Sequence, residues 1–347
     1  MITVNGYGAD SKTAPIAPLH FERRDVGPAD VLIDILYCGV CHSDIHMARS
    51  EWGPSVYPIV PGHEIVGRVT AVGSDVTKFA VGELAGVGVF VDSCRACPSC
   101  TGGLEQYCDY GMTPTYNGFY RDGITPTFGG YSANYVIDEK YALHIPFTTQ
   151  LEAVAPLLCA GITTYSPLRF AGVGEGHKVA VLGLGGLGHM GVKFAASFGA
   201  EVTMLSTSPD KEADAKRLGA HHFVLTTDKS QLKPLRNKFD FILNTVAAVH
   251  NLNQYLDLLK ADGKMLIVGL PPEDLPISVG RLASKRRSIM GSNIGGIQEI
   301  QEMLDYCATN NIVSDVEVIA MKDINEAYDR ILKSDVKYRF VIDMKTL

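Results

Sequence analysis

The chain is predicted to be an α/β protein that joins a β-rich, turn-broken region to a doubly wound parallel sheet. Three observations lead there. Up to about residue 150, short strand-like runs are interrupted by Gly, Pro and Asp. After about residue 160, apolar strands alternate with helices, the rhythm of a parallel sheet covered on both faces. One of those strands runs into Gly183-Leu184-Gly185-Gly186-Leu187-Gly188, a glycine turn that opens a helix.

The first region offers strands at Val31–Tyr37, Ile65–Val72 and Ala133–Ile137, while residues 110–130, rich in Gly, Thr, Pro and Tyr, read as an irregular loop. In the second, His177–Leu182 is an apolar strand, followed by the glycine turn and a helix through Phe198. Glu201–Leu205 and Asp210–Leu218 form the next strand and helix. Phe223–Leu225, Phe239–Val246, Lys264–Val268 and Ser288–Gly291 supply further strands, with Leu252–Leu259 helical between two of them. The pattern then changes to helix Gln298–Asn310, strand Val316–Ile319, helix Ile324–Lys333 and strand Arg339–Ile342.

Composition narrows the function classes. The 347 residues are 46% hydrophobic and 20% charged, ordinary values for a globular chain with a sizeable core. A net charge of -7 argues against nucleic-acid binding, and Lys285-Arg286-Arg287 reads as a solvated face. The start MITVNGYGADSK lacks the basic and apolar regions of a secretory signal, and no apolar run is long enough to span a bilayer. Free thiols fit a reducing compartment, so a cytoplasmic location is expected.

Cys94, Cys97, Cys100 and Cys108 are spaced C-x2-C-x2-C-x7-C. Two-residue gaps let thiolates converge on one ion at about 2.3 Å, the tetrahedral shell of structural zinc. A disulfide framework would instead suit a small cysteine-dense secreted domain, and this chain has only eight cysteines. An all-sulfur site leaves no coordination position open, so it should hold a loop in place and take no part in chemistry.

The glycine turn fits a dinucleotide. Its first glycine permits the tight turn, the second lets backbone approach the pyrophosphate, and the third allows close helix–strand packing. The helix N-terminus then offers N–H groups to the anion. An NAD site usually places Asp or Glu at the end of the second strand, to bind the ribose 2′-OH. This chain has Ser206-Thr207-Ser208 with Lys211 close behind. Hydroxyls and an ammonium can donate to a 2′-phosphate, so NADP(H) is expected. Asp210 reads as a helix N-terminal residue.

Cys41, His42, Ser43, Asp44 and His46, followed by His63 and Glu64, form the next concentration of reactive side chains. A catalytic zinc takes three protein ligands, Cys2His among the known sets, and keeps one position open. Cys41, His63 and a distant cysteine could provide it. Spacing alone does not choose among Cys159, Cys38 and Cys307. Without further information Cys159, in an apolar run, reads as a core thiol.

The chain resembles the zinc-dependent medium-chain alcohol dehydrogenases, and more narrowly the cinnamyl alcohol dehydrogenase branch with its bacterial aldehyde reductases. The resemblance rests on Gly39 through Asp44, Pro61 through Gly67, the four-cysteine loop, Pro156 through Tyr165, the glycine turn and Lys337 through Phe340, and it covers nearly the whole chain. It implies a GroES-like β-rich catalytic domain (1–160 and 295–347), a Rossmann domain (161–294) and an active site in the cleft between them.

By the same resemblance, Cys41, His63 and Cys159 ligate catalytic zinc and Glu64 is its near neighbour. Asp44 orients the His63 ring, as metal-bound imidazoles usually require. Ser43 touches the substrate oxygen, and His46 ends a proton relay at solvent. His42 lies near the cofactor pyrophosphate, where many relatives carry arginine, and Arg339 lies near the cofactor phosphates. Thr163 sits by the nicotinamide. Thr245, Val246, Val268, Gly269, Ser292, Asn293 and Ile294 complete the cofactor set. Trp52, Phe90 and Ile294 line an apolar substrate pocket, although Trp52 and Phe90 could also be core aromatics.

The implied activity is zinc-dependent hydride transfer between NADP(H) and aromatic or medium-chain aliphatic alcohols and aldehydes. Two zinc ions per chain, one catalytic and one structural, and a homodimer, with a tetramer as the alternative, are expected. A polyol or secondary-alcohol dehydrogenase and a non-catalytic NADPH-binding protein are the competing readings.

Overall fold

The computed structural model describes the whole chain, Met1–Leu347. It divides into two compact units, Met1–Cys159 with Gly295–Leu347, and Ala160–Ile294.

In the first unit the strand Asp30–Val40 is the axis of a seven-stranded sheet. Val31, Ile33 and Ile35 are buried while Asp34 between them is exposed, the period of two of a strand with one core face. Register shifts where this strand pairs with Ile65–Val72. Such bulges re-aim side chains, and beyond them Cys38, Gly39 and Val40 are all buried. The first half of Asp30–Val40 pairs with Asn134–Asp138 and its end pairs with Arg339–Asp343. The C-terminal segment therefore completes a sheet begun near the N-terminus. Behind it, helix Ile324–Leu332 buries Ile324, Ala327, Tyr328 and Ile331, one stripe at helical spacing.

The strands Ile2–Gly8 and Ala17–Arg23, which pair antiparallel, were not expected from sequence. Residues 110–130, expected as irregular loop, contain the two-residue strands Thr113–Pro114, Gly118–Phe119 and Pro126–Thr127.

The second unit is a six-stranded parallel sheet. Its spatial order is His222–Leu225, Glu201–Ser206, Lys178–Leu182, Phe239–Asn244, Leu259–Ile267, Ser288–Gly291. Val179, Ala180 and Val181 have no exposed surface, the continuous apolar run of a strand covered on both faces. Strand order reverses between Lys178–Leu182 and Phe239–Asn244. In such sheets the crevice outside the strand ends at that reversal is where ligands bind.

Three local expectations are corrected here. The helix from Leu252 ends at Leu256, because Leu259 already pairs with Phe239 at the start of its own strand. Asp210–Leu218 divides into a 3-10 turn, Pro209–Lys211, and helix Glu212–Arg217. Arg287 is buried rather than solvated; its Nε donates to the Leu259 carbonyl and its Nη2 to Asn237 Oδ1, both at 2.9 Å. No helix is long and apolar enough to cross a membrane.

Candidate metal centres and nucleotide turn

The four sulfurs of Cys94, Cys97, Cys100 and Cys108 all lie within 4.8 Å of one another. Cys94 and Cys100 are 3.8 Å apart and Cys97 and Cys100 3.5 Å. A tetrahedron with metal–sulfur bonds of about 2.3 Å has edges of about 3.8 Å, whereas a disulfide needs about 2.05 Å. The spacing is that of a metal shell. Backbone N–H groups of Cys94 and Cys97 donate to the sulfurs of Cys108 and Cys94, at 3.4 and 3.3 Å. Burial raises the Cys108 thiol, but the amides of Cys94 and Tyr110 outweigh it and bring it down to about 6. A thiol so placed is a ready thiolate ligand.

Cys41, His63, Glu64 and Cys159 form the second cluster, all buried, with one ligand atom from each within 4.8 Å of the others. The structure thus brings Cys159 into the set that spacing left open. Cys38 packs in strand Asp30–Val40 and Cys307 in helix Ile297–Asn310, both fully buried. Cys41 and Cys159 sulfurs are 4.0 Å apart. The bond from Cys159, the largest influence, holds the Cys41 thiol well below its usual range. His63 Nε2 and Glu64 Oε2 are buried without any partner. Orphaned polar atoms are rare in a native interior and call for a missing ion or water. Two sulfurs and an imidazole nitrogen, with the Glu64 carboxylate beside them, fit zinc.

The imidazole is held from behind. Asp44 Oδ1 lies 3.3 Å from His63 Nδ1 and accepts from the Gly62 N–H at 3.1 Å. Its Oδ2 accepts from the Cys41 N–H at 2.8 Å and from the Tyr131 hydroxyl at 3.2 Å. Tyr116 stacks on the His63 ring with centroids 5.7 Å apart. Glycine at position 39 is required by close approach, since a Cβ there would stand 1.9 Å from Glu64 Oε2. Burial pushes the Glu64 carboxyl up to about 7 against the opposing pull of Arg339.

Arg339, assigned to the cofactor phosphates by resemblance, is buried at this cluster: Nη2 donates to Glu64 Oε1 and Nη1 stands 3.9 Å from the Cys41 sulfur. A buried guanidinium needs a carboxylate, and Glu64 is the one beside it. Helix His42–Ala48 carries His42, Ser43, Asp44 and His46 together. Ser43 Oγ is 3.5 Å from the Cys41 sulfur. His46 Nδ1 pairs with Glu51 at 2.5 Å, and its ring stacks on half-exposed Trp52. Phe90 is 1% exposed and packs edge-on against Tyr141.

In the second unit, Gly183 sits at φ +91°, and a Cβ on Gly188 would fall 1.8 Å from the Gly183 carbonyl. By contrast nothing lies within 4 Å of the same point on Gly185, leaving the open cradle a phosphate needs. Thr245 Oγ1 donates to the carbonyls of Leu182 and Gly183, tying the two strands where the order reverses. Val268 and Gly269 donate backbone N–H groups to Asn244, which brings them beside Thr245 and Val246. Lys211 Nζ reaches back to the Leu184 carbonyl at 2.8 Å, and Ser206 Oγ accepts from the Ser208 N–H. Leu187 caps helix Gly188–Ser197, and Thr163 lies buried on helix Ala160–Phe170. The Ser292 N–H bonds to Ile267, and Ile294, at φ +41°, closes the unit. Gly186, Thr207 and Asn293 lie on the same loops.

A dinucleotide turn on a doubly wound sheet, in one chain with a Cys2His cluster and a four-sulfur cluster, defines a metal-dependent oxidoreductase. Residues 27–147 match the alcohol dehydrogenase GroES-like domain, and residues 186–309 match the zinc-binding dehydrogenase domain. The chain belongs to the zinc-binding alcohol dehydrogenase family. It is 55% identical to aldehyde reductase YahK of Escherichia coli, over 99% of each chain. With the NADP-dependent alcohol dehydrogenase C 1 of Mycolicibacterium smegmatis it shares 54% identity over 100% of this chain and 99% of that one. A cinnamyl alcohol dehydrogenase structure from Sorghum bicolor superposes with a TM-score of 0.96 at 42% identity, covering 99% and 98%.

Tyr116, Tyr131 and Tyr328, buried around Asp44, escaped the sequence reading. No short-range motif marks them.

Proposed function

We propose that the protein is an NADP(H)-dependent alcohol dehydrogenase and aldehyde reductase acting on aromatic and medium-chain aliphatic substrates. One observation carries this reading: buried Cys41, His63 and Cys159 surround a point at which His63 Nε2 has no partner. Zinc held by these three would polarise a carbonyl oxygen and NADPH would supply hydride. Asp44 fixes the His63 tautomer by accepting at Nδ1, so that Nε2 stays free to ligate. Ser43 Oγ, beside Cys41, holds the proton that neutralises the substrate oxygen. His46, partly exposed and paired with Glu51, returns that proton from solvent. Ser206, Thr207, Ser208 and Lys211 bind the 2′-phosphate.

The edge strand Ser288–Gly291 of the parallel sheet is open to pairing, which supports a homodimer joined at that edge. A cytoplasmic location is consistent with free thiols.

The test is NADPH oxidation over an aldehyde panel, with and without a zinc chelator. Chelator-sensitive reduction of cinnamaldehyde is expected, with little turnover of sorbitol. Preference for sorbitol would make it a polyol dehydrogenase; binding of NADPH without any turnover would end the enzymatic reading.

A further inference from the structure

Asp44 has no exposed surface, and an ionised carboxylate offers about four lone-pair sites. Four donors converge on it. The N–H groups of Cys41 and Gly62 and the ring of His63 belong to the ligand-bearing segments themselves. The fourth is the Tyr131 hydroxyl, brought from 87 residues away.

Tyr131 is also tied to the same segment by backbone. Its N–H donates to the Pro61 carbonyl at 3.0 Å, and the Gly130 N–H donates to Gly62 at 2.8 Å. Its ring is wholly buried, and its oxygen in turn receives the Tyr328 hydroxyl at 3.5 Å. The phenol is therefore aimed by packing and backbone before it meets the carboxylate.

From this arrangement we infer that Tyr131 is a positioning residue for the catalytic metal, acting through Asp44 and His63, with Tyr328 supporting it from behind. A donor on Oδ2 holds the carboxylate plane so that Oδ1 stays on His63 Nδ1. Groups that orient a metal-bound imidazole typically change metal affinity about 10–100-fold when removed. The inference rests on the proposed zinc site at Cys41, His63 and Cys159.

The test is Tyr131→Phe, which deletes one oxygen and keeps ring and backbone. Zinc release from the full-length protein to a chromophoric chelator is followed beside thermal unfolding. Wild-type protein should release two ions in separable phases. In Tyr131→Phe one phase should quicken about tenfold, with the other unchanged. The ligand-field bands of cobalt(II)-loaded protein should shift in the same variant. Unchanged release, or equal acceleration of both phases with a lowered melting temperature, overturns the inference. Should Tyr131→Phe not fold, Tyr328→Phe decides by the same criteria: selective acceleration of one phase supports the inference, and unchanged release overturns it. Release of only one ion from the wild type would instead remove the zinc site itself.

Discussion

Arg339 and Glu64, 275 residues apart in sequence, form an ion pair inside the first unit, 5% and 0% exposed. The strand Arg339–Asp343 carries the cation to the end of Asp30–Val40, where Gly39 makes room for the carboxylate. Breaking a buried pair leaves an uncompensated charge, at a cost of about 3–5 kcal/mol. Arg339→Met should lose about that much in denaturant unfolding. A loss under about 1 kcal/mol would mean that the pair contributes little beyond what an exposed one does.

Cys159→Ala removes one sulfur from the second cluster and leaves the glycine turn of the parallel-sheet unit unaltered in sequence. Turnover should vanish and zinc content should fall from two ions per chain toward one. NADPH binding, followed by fluorescence titration, should survive. Loss of nucleotide affinity along with turnover would contradict this division of labour.

Ser206→Asp places a carboxylate at the end of Glu201–Ser206, where the hydroxyl now accepts from the Ser208 N–H. Like charges held a few ångströms apart repel by kcal/mol amounts near a protein surface. The Michaelis constant for NADPH should rise at least about tenfold, a change worth about 1.4 kcal/mol. An unchanged constant removes the 2′-phosphate assignment.

Asp240 anchors the central strand of the parallel sheet: its Oδ2 accepts from the Lys178 N–H at 2.7 Å and its Oδ1 from Lys260 Nζ at 2.9 Å. Burial raises its carboxyl, but these donors outweigh it and the net shift is downward. A depressed folded pKa contributes stability above the unfolded value of about 3.9 and loses it as pH falls through the folded value. Asp240→Asn should therefore cost about 1 kcal/mol at pH 7 and progressively less below about pH 4. Melting temperatures of both proteins across that range check it; a gap that widened on acidification would reverse the sign.

Much of this was legible locally. Strands Ile65–Val72 and Ser288–Gly291 were read to the residue, because apolar or alternating runs end at glycine or charge. Helix Ala160–Phe170 was not, since every residue from Ala160 through Leu168 is buried and no polar face sets a period. The strands Ile2–Gly8 and Ala17–Arg23 were missed as well; Gly6 and Gly8 lower strand propensity, and pairing with a distant partner overrides it.

The sequence alone determined the fold class, the four-cysteine site and the nucleotide turn, because each depends on neighbours a few residues apart. Backbone geometry at that range is set by the residues themselves. Spacing left Cys159, Cys38 and Cys307 open and the family resemblance named Cys159; the tertiary structure places that thiol with Cys41 and His63, and it alone decided that Arg339 faces Glu64 and that Tyr131 closes the shell of Asp44. Those contacts span up to 275 residues of chain. Sheet pairing and burial bring such residues together, and no local pattern records the result.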